Sequence, residues 1–367
     1  MEVIMDKQQR EEMYEEKKKL FLGNPISELS AIEFGFDLEK QKNVYHYTDI
    51  AGFKSIMENR ELWASHIAFM NDESEFSHGK NLFKEHLRAK IKSVSGVEQF
   101  ILKDTLYRLD NEVSGWIMPH SSKDVFSLSF SYNRNSLEMW RGYGRDSGIA
   151  IGFDYSLCNN PPEENFKNHD SIQMNQSCGG LCLLRSDQHK ALKDKYGDEN
   201  KVMPRNEVRF FPVAVVYNDD KKSELVEETI KMAMDYFYKF YPKLSERDAS
   251  IISDPLLDLI FLICPLLKHK GFEGEAECRL VENYYNDEES YPVEFRIRNG
   301  IMLPYIKYKM LDLNCRPITT WPIHEIVVGP GSKQDKVIQS VKYFLEKTDM
   351  KDLADKVVAS DIPYVET

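Results

Sequence analysis

Lys270 to Glu282, KGFEGEAECRLVE, is the stretch from which the rest of the chain is read. A turn with two glycines runs into a segment that alternates polar and apolar residues. Side chains along a β-strand repeat with period two. The pattern predicts a strand with Glu275, Glu277 and Arg279 on one face and Ala276, Cys278 and Leu280 on the core face. Two carboxylates and a guanidinium are costly to bury without partners. The stretch is therefore either a wet sheet face whose alternating charge also resists edge-to-edge aggregation, or a site.

The same habit recurs upstream. Residues 124–130, DVFSLSF, place Val125, Ser127 and Ser129 on one face and Phe126, Leu128 and Phe130 on the other. Residues 44–48, VYHYT, read as a short strand from their aromatic and β-branched content, with His46 and Tyr47 on opposite faces. Thr48 is placed to cap the helix DIAGFKSIMENR, whose Ile50, Phe53, Ile56 and Met57 fall at core spacing. Glu61 to Ser65 is the next strand. Residues 70–75, MNDESE, predict a turn and a capped helix, with Asn71 or Asp72 capping and Glu75 near the third position. They do not fit a calcium loop. That helix runs to about residue 92, and a second, 97–118, carries Leu102, Leu106 and Leu109 as its apolar stripe. SLEMWRGYG, from Ser136, is a short helix with Trp140 and Tyr143 one turn apart, and GIAIGF is a buried strand.

Farther on, 155–177 reads as a loop, 180–184 and 207–217 as strands, and 222–268 as a helical insertion. Residues 293–297, 301–309 and 323–328 are further strands. Gly329-Pro330-Gly331 then leads into a helix. It lacks both the Walker order and the dinucleotide spacing, so it reads as a turn and cap. The expected division is an N-terminal helical extension at 1–42, a core at 43–332 and a C-terminal helical tail at 333–367. The extension would pack on the body or on a second subunit, as a homodimer. Short strands among helices without a βαβ rhythm make the fold class α+β.

Composition bounds the rest. The chain has 367 residues, 42% of them hydrophobic and 12% aromatic, enough for a sizeable core. A net charge of -12 argues against a large non-specific nucleic-acid surface. A local cluster of Arg134, Arg141 and Arg145 remains as a place for phosphates. Cys178 and Cys182 lack a second pair or a nearby histidine, so no metal site is expected. The cysteine usage and the lack of a signal peptide or membrane-spanning run lead to the expectation of a cytoplasmic protein with no membrane partner.

The segments YHYTDIAGFKSIMENRELWAS, FMNDESEF, FSLSF, SLEMWRGYG with GIAIGF, KGFEGEAECRL and IHEIVVGPG occur in the order seen in the bacterial family DUF2971, which the chain resembles over roughly 43–332. That family is similar to ADP-ribosyltransferase-like folds. The resemblance implies a split β-sheet core that binds NAD, as a substrate, in a cleft between two small sheets. It implies that His46 holds the ribose or diphosphate end, flanked by Tyr47 and Thr48. Ser127 and Ser129 match the serine-containing second strand, Tyr143 stacks on nicotinamide, and Glu277 or Glu275 is the catalytic acid. Arg279 on the same face pairs with Glu277 or meets a phosphate. The implied activity is transfer of ADP-ribose to an unidentified protein or nucleic acid, as in a toxin or phage-defence effector. The alternatives are an NAD glycohydrolase in the same cleft and a non-catalytic interaction protein that keeps the fold.

Overall fold

The computed structural model describes residues 43–70, 73–111, 123–144, 148–154, 182–185, 213–240, 249–285, 293–298, 300–311 and 321–363. The extension at 1–42 with its homodimer role, Asn71 and Asp72, the loop at 155–177, Arg145 and Cys178 lie outside the described residues.

The architecture is mixed α+β, built on one 11-stranded sheet. Its strands are β1 (Asn43–Thr48), β2 (Glu61–His66), β3 (Lys123–Ser131), β4 (Ile149–Asp154), β5 (Cys182–Arg185), β6 (Val213–Ala214), β7 (Glu277–Tyr285), β8 (Glu294–Arg298), β9 (Ile301–Leu311), β10 (Ile323–Val328) and β11 (Val357–Ala359). The main path runs β11-β10-β4-β1-β3-β2-β9-β5. β7 branches off β3, β6 off β7, and β8 off β9.

β3 is the pivot. One of its edges pairs with β7 throughout, from Lys123↔Tyr285 to Ser131↔Glu277. Its other edge is shared. β1 joins at Tyr45↔Ser131, and β2 joins at Ser65↔Ser127 and His66↔Phe126. Between those pairings, at 128–130, β1 and β2 part and leave a notch. Buried backbone polar groups need partners, and here a side chain supplies one: His46 Nδ1 lies 3.0 Å from the Ser129 carbonyl.

The alternation holds along β3 and, from Glu277 onward, along β7. Phe126, Leu128, Phe130, Cys278 and Leu280 face one core, closed by α1 (Ile50–Asn59) and α6 (Gln334–Glu346) through Phe53, Val341 and Leu345. The opposite face carries Val125 into a second core formed with α2 (Glu73–Ile91), α3 (Gly96–Asp110), α4 (Asp219–Phe240) and α5 (Ala249–Ile263). A third cluster, of Tyr45, Tyr47, Met139, Trp140, Ala150 and Val327, covers the β1–β4–β10 half under the helical turn 137–144. Among the described residues no helix is long and apolar enough to cross a membrane.

Several expectations need correction. The expected helical tail at 333–367 is, over its described part to residue 363, not only helical: β11 pairs in parallel with β10, and α6 packs into the main core, so this part completes the sheet. Ile50 is 41% exposed, because it opens α1 before the core-facing turn. Asp49, not Thr48, caps α1, accepting from the Gly52 N–H at 2.7 Å. Thr48 instead lies against Gly52, where a Cβ would fall 2.1 Å from its Oγ1. The helical block at 222–268 leaves and re-enters the sheet at one place, where Val216 bridges Leu267.

Candidate ligand cleft and its buried carboxylate

The notch opens into a cleft of about 720 Å³. His46, Tyr47, Thr48, Ser127, Ser129 and Tyr143 all line it. Residues from three segments therefore meet at one place: β1, the middle of β3 and the helical turn 140–144. β8 closes the far wall with Arg296, Ile297 and Arg298, and β2 adds Trp63 and Ser65.

Each side chain is held differently. Burial pushes the His46 imidazole down to about 4, against the help of its bond to the Ser129 carbonyl. His46 is therefore neutral at pH 7. A carbonyl only accepts, so Nδ1 carries the proton and Nε2 is left as an acceptor. The Tyr47 hydroxyl is already engaged: it donates to the Asn133 carbonyl at 2.8 Å and accepts from the Ser136 N–H at 3.1 Å. Its ring packs edge-on to Trp140 at 4.6 Å, so Tyr47 offers the cleft a surface rather than a free hydroxyl. Ser127 is 2% exposed and its hydroxyl has no hydrogen-bond partner. The Ser129 hydroxyl helps hold the Glu277 carboxylate ionised without closing a well-formed hydrogen bond.

Glu277, Glu275 and Arg279 do not line the cleft. Glu277 is 2% exposed and sits in an ion cluster. Arg279 grips it with two parallel bonds, Nε to Oε1 and Nη2 to Oε2, each 2.7 Å. Lys268 Nζ adds a third contact at 3.0 Å and reaches Glu275 at 2.5 Å. Arg279 also donates to the Pro265 carbonyl at 2.7 Å. Burial raises the Glu277 pKa, but the Arg279 and Lys268 charges outweigh it and hold the carboxyl at about 2. The carboxylate is felt at the cleft wall. Burial first, and the Glu277 charge second, push the Tyr143 phenol up to about 12.

Glu275 departs from the expected strand pattern. It ends a 3-10 turn, Lys270–Glu275, and Ala276 follows in the left-handed region at φ 43°. The strand begins only at Glu277. Ser131 and Tyr132 pin this kink, donating to the Glu275 and Ala276 carbonyls at 2.6 and 2.8 Å. Lys268, across the turn, returns the Glu275 carboxylate to the cluster. Of the expected phosphate cluster, Arg134 is engaged elsewhere, and Arg145 lies outside the described residues. Arg134 holds Glu325 through Nε at 2.8 and 2.9 Å, and the Tyr45 hydroxyl donates to the same carboxylate.

Residues 139–280 match the family model DUF2971, described as a protein of unknown function. The DUF2971 match runs from the helical turn under β1 through β4 and the helical block into β7. It covers Tyr143, Glu275, Glu277 and Arg279. It leaves out His46, Ser127 and Ser129, and is shorter than the 43–332 span of the resemblance. No curated protein and no solved structure matches the chain. Among the described residues no group of three or more metal-ligating side chains comes together.

Sequence reading missed Lys268, Trp63, Ser65 and the β8 arginines. The alternation of EFRIR, residues 294–298, already placed Arg296 and Arg298 on one strand face. Lys268 gave no signal, because the contact that matters crosses a turn.

Proposed function

We propose that the cleft binds NAD and that the chain is an ADP-ribosyltransferase acting on an unidentified protein or nucleic acid. One observation carries the reading. β1 and β2 part along β3, and His46, Ser127, Ser129 and Tyr143 converge on the gap with an ionised carboxylate behind them. An ADP-ribosyltransferase-like split sheet would place its ligand there.

The chemistry suits those groups. Breaking the bond from ribose C1′ to nicotinamide builds positive charge on the ribose, and nicotinamide leaves neutral. A fixed anion lowers the energy of that state. Glu277 is anionic at any pH well above 2. Neutral His46 can accept from a ribose hydroxyl through Nε2, and the Tyr143 ring offers a stacking face. Reaching the ribose requires Glu277 to exchange part of its Arg279 and Lys268 contacts, with Ser129 as the nearest relay to the cleft wall.

That saturation favours a second reading. A carboxylate already neutralised by two cations is a weak electrostatic catalyst, and the same cleft would then bind NAD without turning it over. Nicotinamide release from NAD, with and without cell extract, separates the two. Release that needs both extract and Glu277 supports the transferase, and release without extract points to a glycohydrolase. Tight NAD binding with no release supports the binding reading. NAD that neither binds nor reacts removes both.

A further inference from the structure

Three of the cationic side chains near the cleft are committed to carboxylates. Arg279 and Lys268 hold Glu277, and Arg134 holds Glu325. His46 is neutral at pH 7. Among the described residues, the permanently charged cations that line the cleft are Arg296 and Arg298, on β8. Two residues apart on a strand, they share a face about 7 Å from each other.

Arg296 is built in rather than draped on the surface. Its guanidinium lies 5.5 Å from the Trp63 ring and 5.6 Å from the Tyr305 ring, which stack on each other at 4.4 Å. Nη2 donates to the Ser65 hydroxyl at 2.8 Å. Nε is buried without a hydrogen-bond partner. The cation–π contacts and the Ser65 bond hold the group in place but do not neutralise it. Among the described residues Arg296 forms no salt bridge. Burial first and the neighbouring Arg298 second disfavour its charge, outweighing the favourable Asp49 carboxylate, which forms no salt bridge with it. Among the described residues Asp49 is the acid that lines the cleft; it caps α1 and stays beyond salt-bridge distance of both arginines. The cleft also holds the buried, unpartnered Ser127 hydroxyl, a ready donor. A partly buried guanidinium without a salt bridge, and an orphaned buried hydroxyl on the same cavity, are unfavourable until an anion arrives.

We propose that Arg296 and Arg298, together with the Ser127 hydroxyl, form a diphosphate subsite, so that the cleft selects a nucleoside diphosphate over a nucleoside or free base. This rests on the cleft being the ligand site, but not on NAD turnover. Arg296 is the anchor, since the ring pair and Ser65 already hold its guanidinium at the cleft wall. Arg298, exposed at the mouth, adds charge. His46 and Arg279 are then not the phosphate contacts.

Calorimetry on the full chain tests this, with inorganic pyrophosphate, ADP and adenosine as probes. Pyrophosphate and ADP are expected to bind, more weakly as salt rises, and adenosine at least about tenfold more weakly than ADP. Arg296→Met is expected to cost pyrophosphate about tenfold or more in affinity without lowering the melting temperature, because the lost cation has no carboxylate partner and methionine keeps an apolar side chain against the stacked Trp63 and Tyr305 rings. A purely structural arginine would show the reverse: a lower melting temperature and unchanged binding. Arg298→Met is expected to lose a severalfold share of affinity, and it decides the matter if Arg296→Met folds poorly. Pyrophosphate that fails to bind the wild type, or binds both variants as well as the wild type, overturns the assignment. If NAD is bound and turned over while pyrophosphate is ignored, the subsite falls and the transferase stands. If pyrophosphate binding depends on Arg296 but NAD is never cleaved, the subsite stands and the transferase falls.

Discussion

Replacing Glu277 by glutamine removes an anion that Arg279 and Lys268 hold between them at 2.7 and 3.0 Å. In the folded chain the carboxyl titrates at about 2, against an ordinary value of 4.5. That difference corresponds to about 3 kcal/mol of stability at neutral pH. The sign follows from proton uptake. The folded pKa is the lower one, so between pH 4.5 and 2 the unfolded chain binds the proton first. The contribution is complete above pH 4.5 and is lost as the pH falls through the folded value. Breaking a buried pair from one side typically costs about 3–5 kcal/mol, in line with this figure. Urea unfolding of wild type and Glu277→Gln at pH 7 and pH 3 is the assay. The expected result is a loss of about 3 kcal/mol at pH 7 that narrows at pH 3. A variant within about 1 kcal/mol of wild type at pH 7, with the same pH dependence, would refute the locked-anion reasoning.

Three further outcomes follow from the same geometry. Tyr47→Phe strands the Ser136 N–H and the Asn133 carbonyl, so it should cost about 1–3 kcal/mol and weaken NAD binding by loosening the 133–144 segment. Chemical denaturation and calorimetry read the two effects. Gly152→Ala puts a Cβ 2.7 Å from the Tyr45 ring in the middle of the sheet; about 1–3 kcal/mol of destabilisation is expected in a thermal melt, and an unchanged melt would contradict the close approach. The His46 imidazole should titrate near 4 by NMR. Its folded pKa lies below the ordinary 6.5, so its share of the stability is complete above pH 6.5 and declines between there and about pH 4. A midpoint near 6.5 would mean that it is solvated.

The strands were legible where the period of two ran unbroken. The serine face of β3 and the core face of β7 lie as the alternation places them, because one side of each strand must be buried. The alternation failed at Glu275, where Ala276 turns left-handed and the strand starts two residues later. A small apolar residue in that role leaves no mark in a sequence, whereas a glycine would. The notch could not be read at all. It depends on β1 and β2 pairing with different ends of one β3 edge, a non-local choice made by the cores on either face. The sheet role of residues 357–359 was hidden for the same reason, since three residues of parallel strand have no periodicity to detect.

We propose the gap between β1 and β2 as an NAD site. A crystal structure with a C-glycosidic NAD analogue, which cannot release nicotinamide, tests it most directly. The account predicts the nicotinamide ring against Tyr143, a ribose hydroxyl within about 3 Å of His46 Nε2, and the diphosphate on Arg296. An analogue that binds elsewhere on the protein, or none bound at saturating concentration, would contradict it.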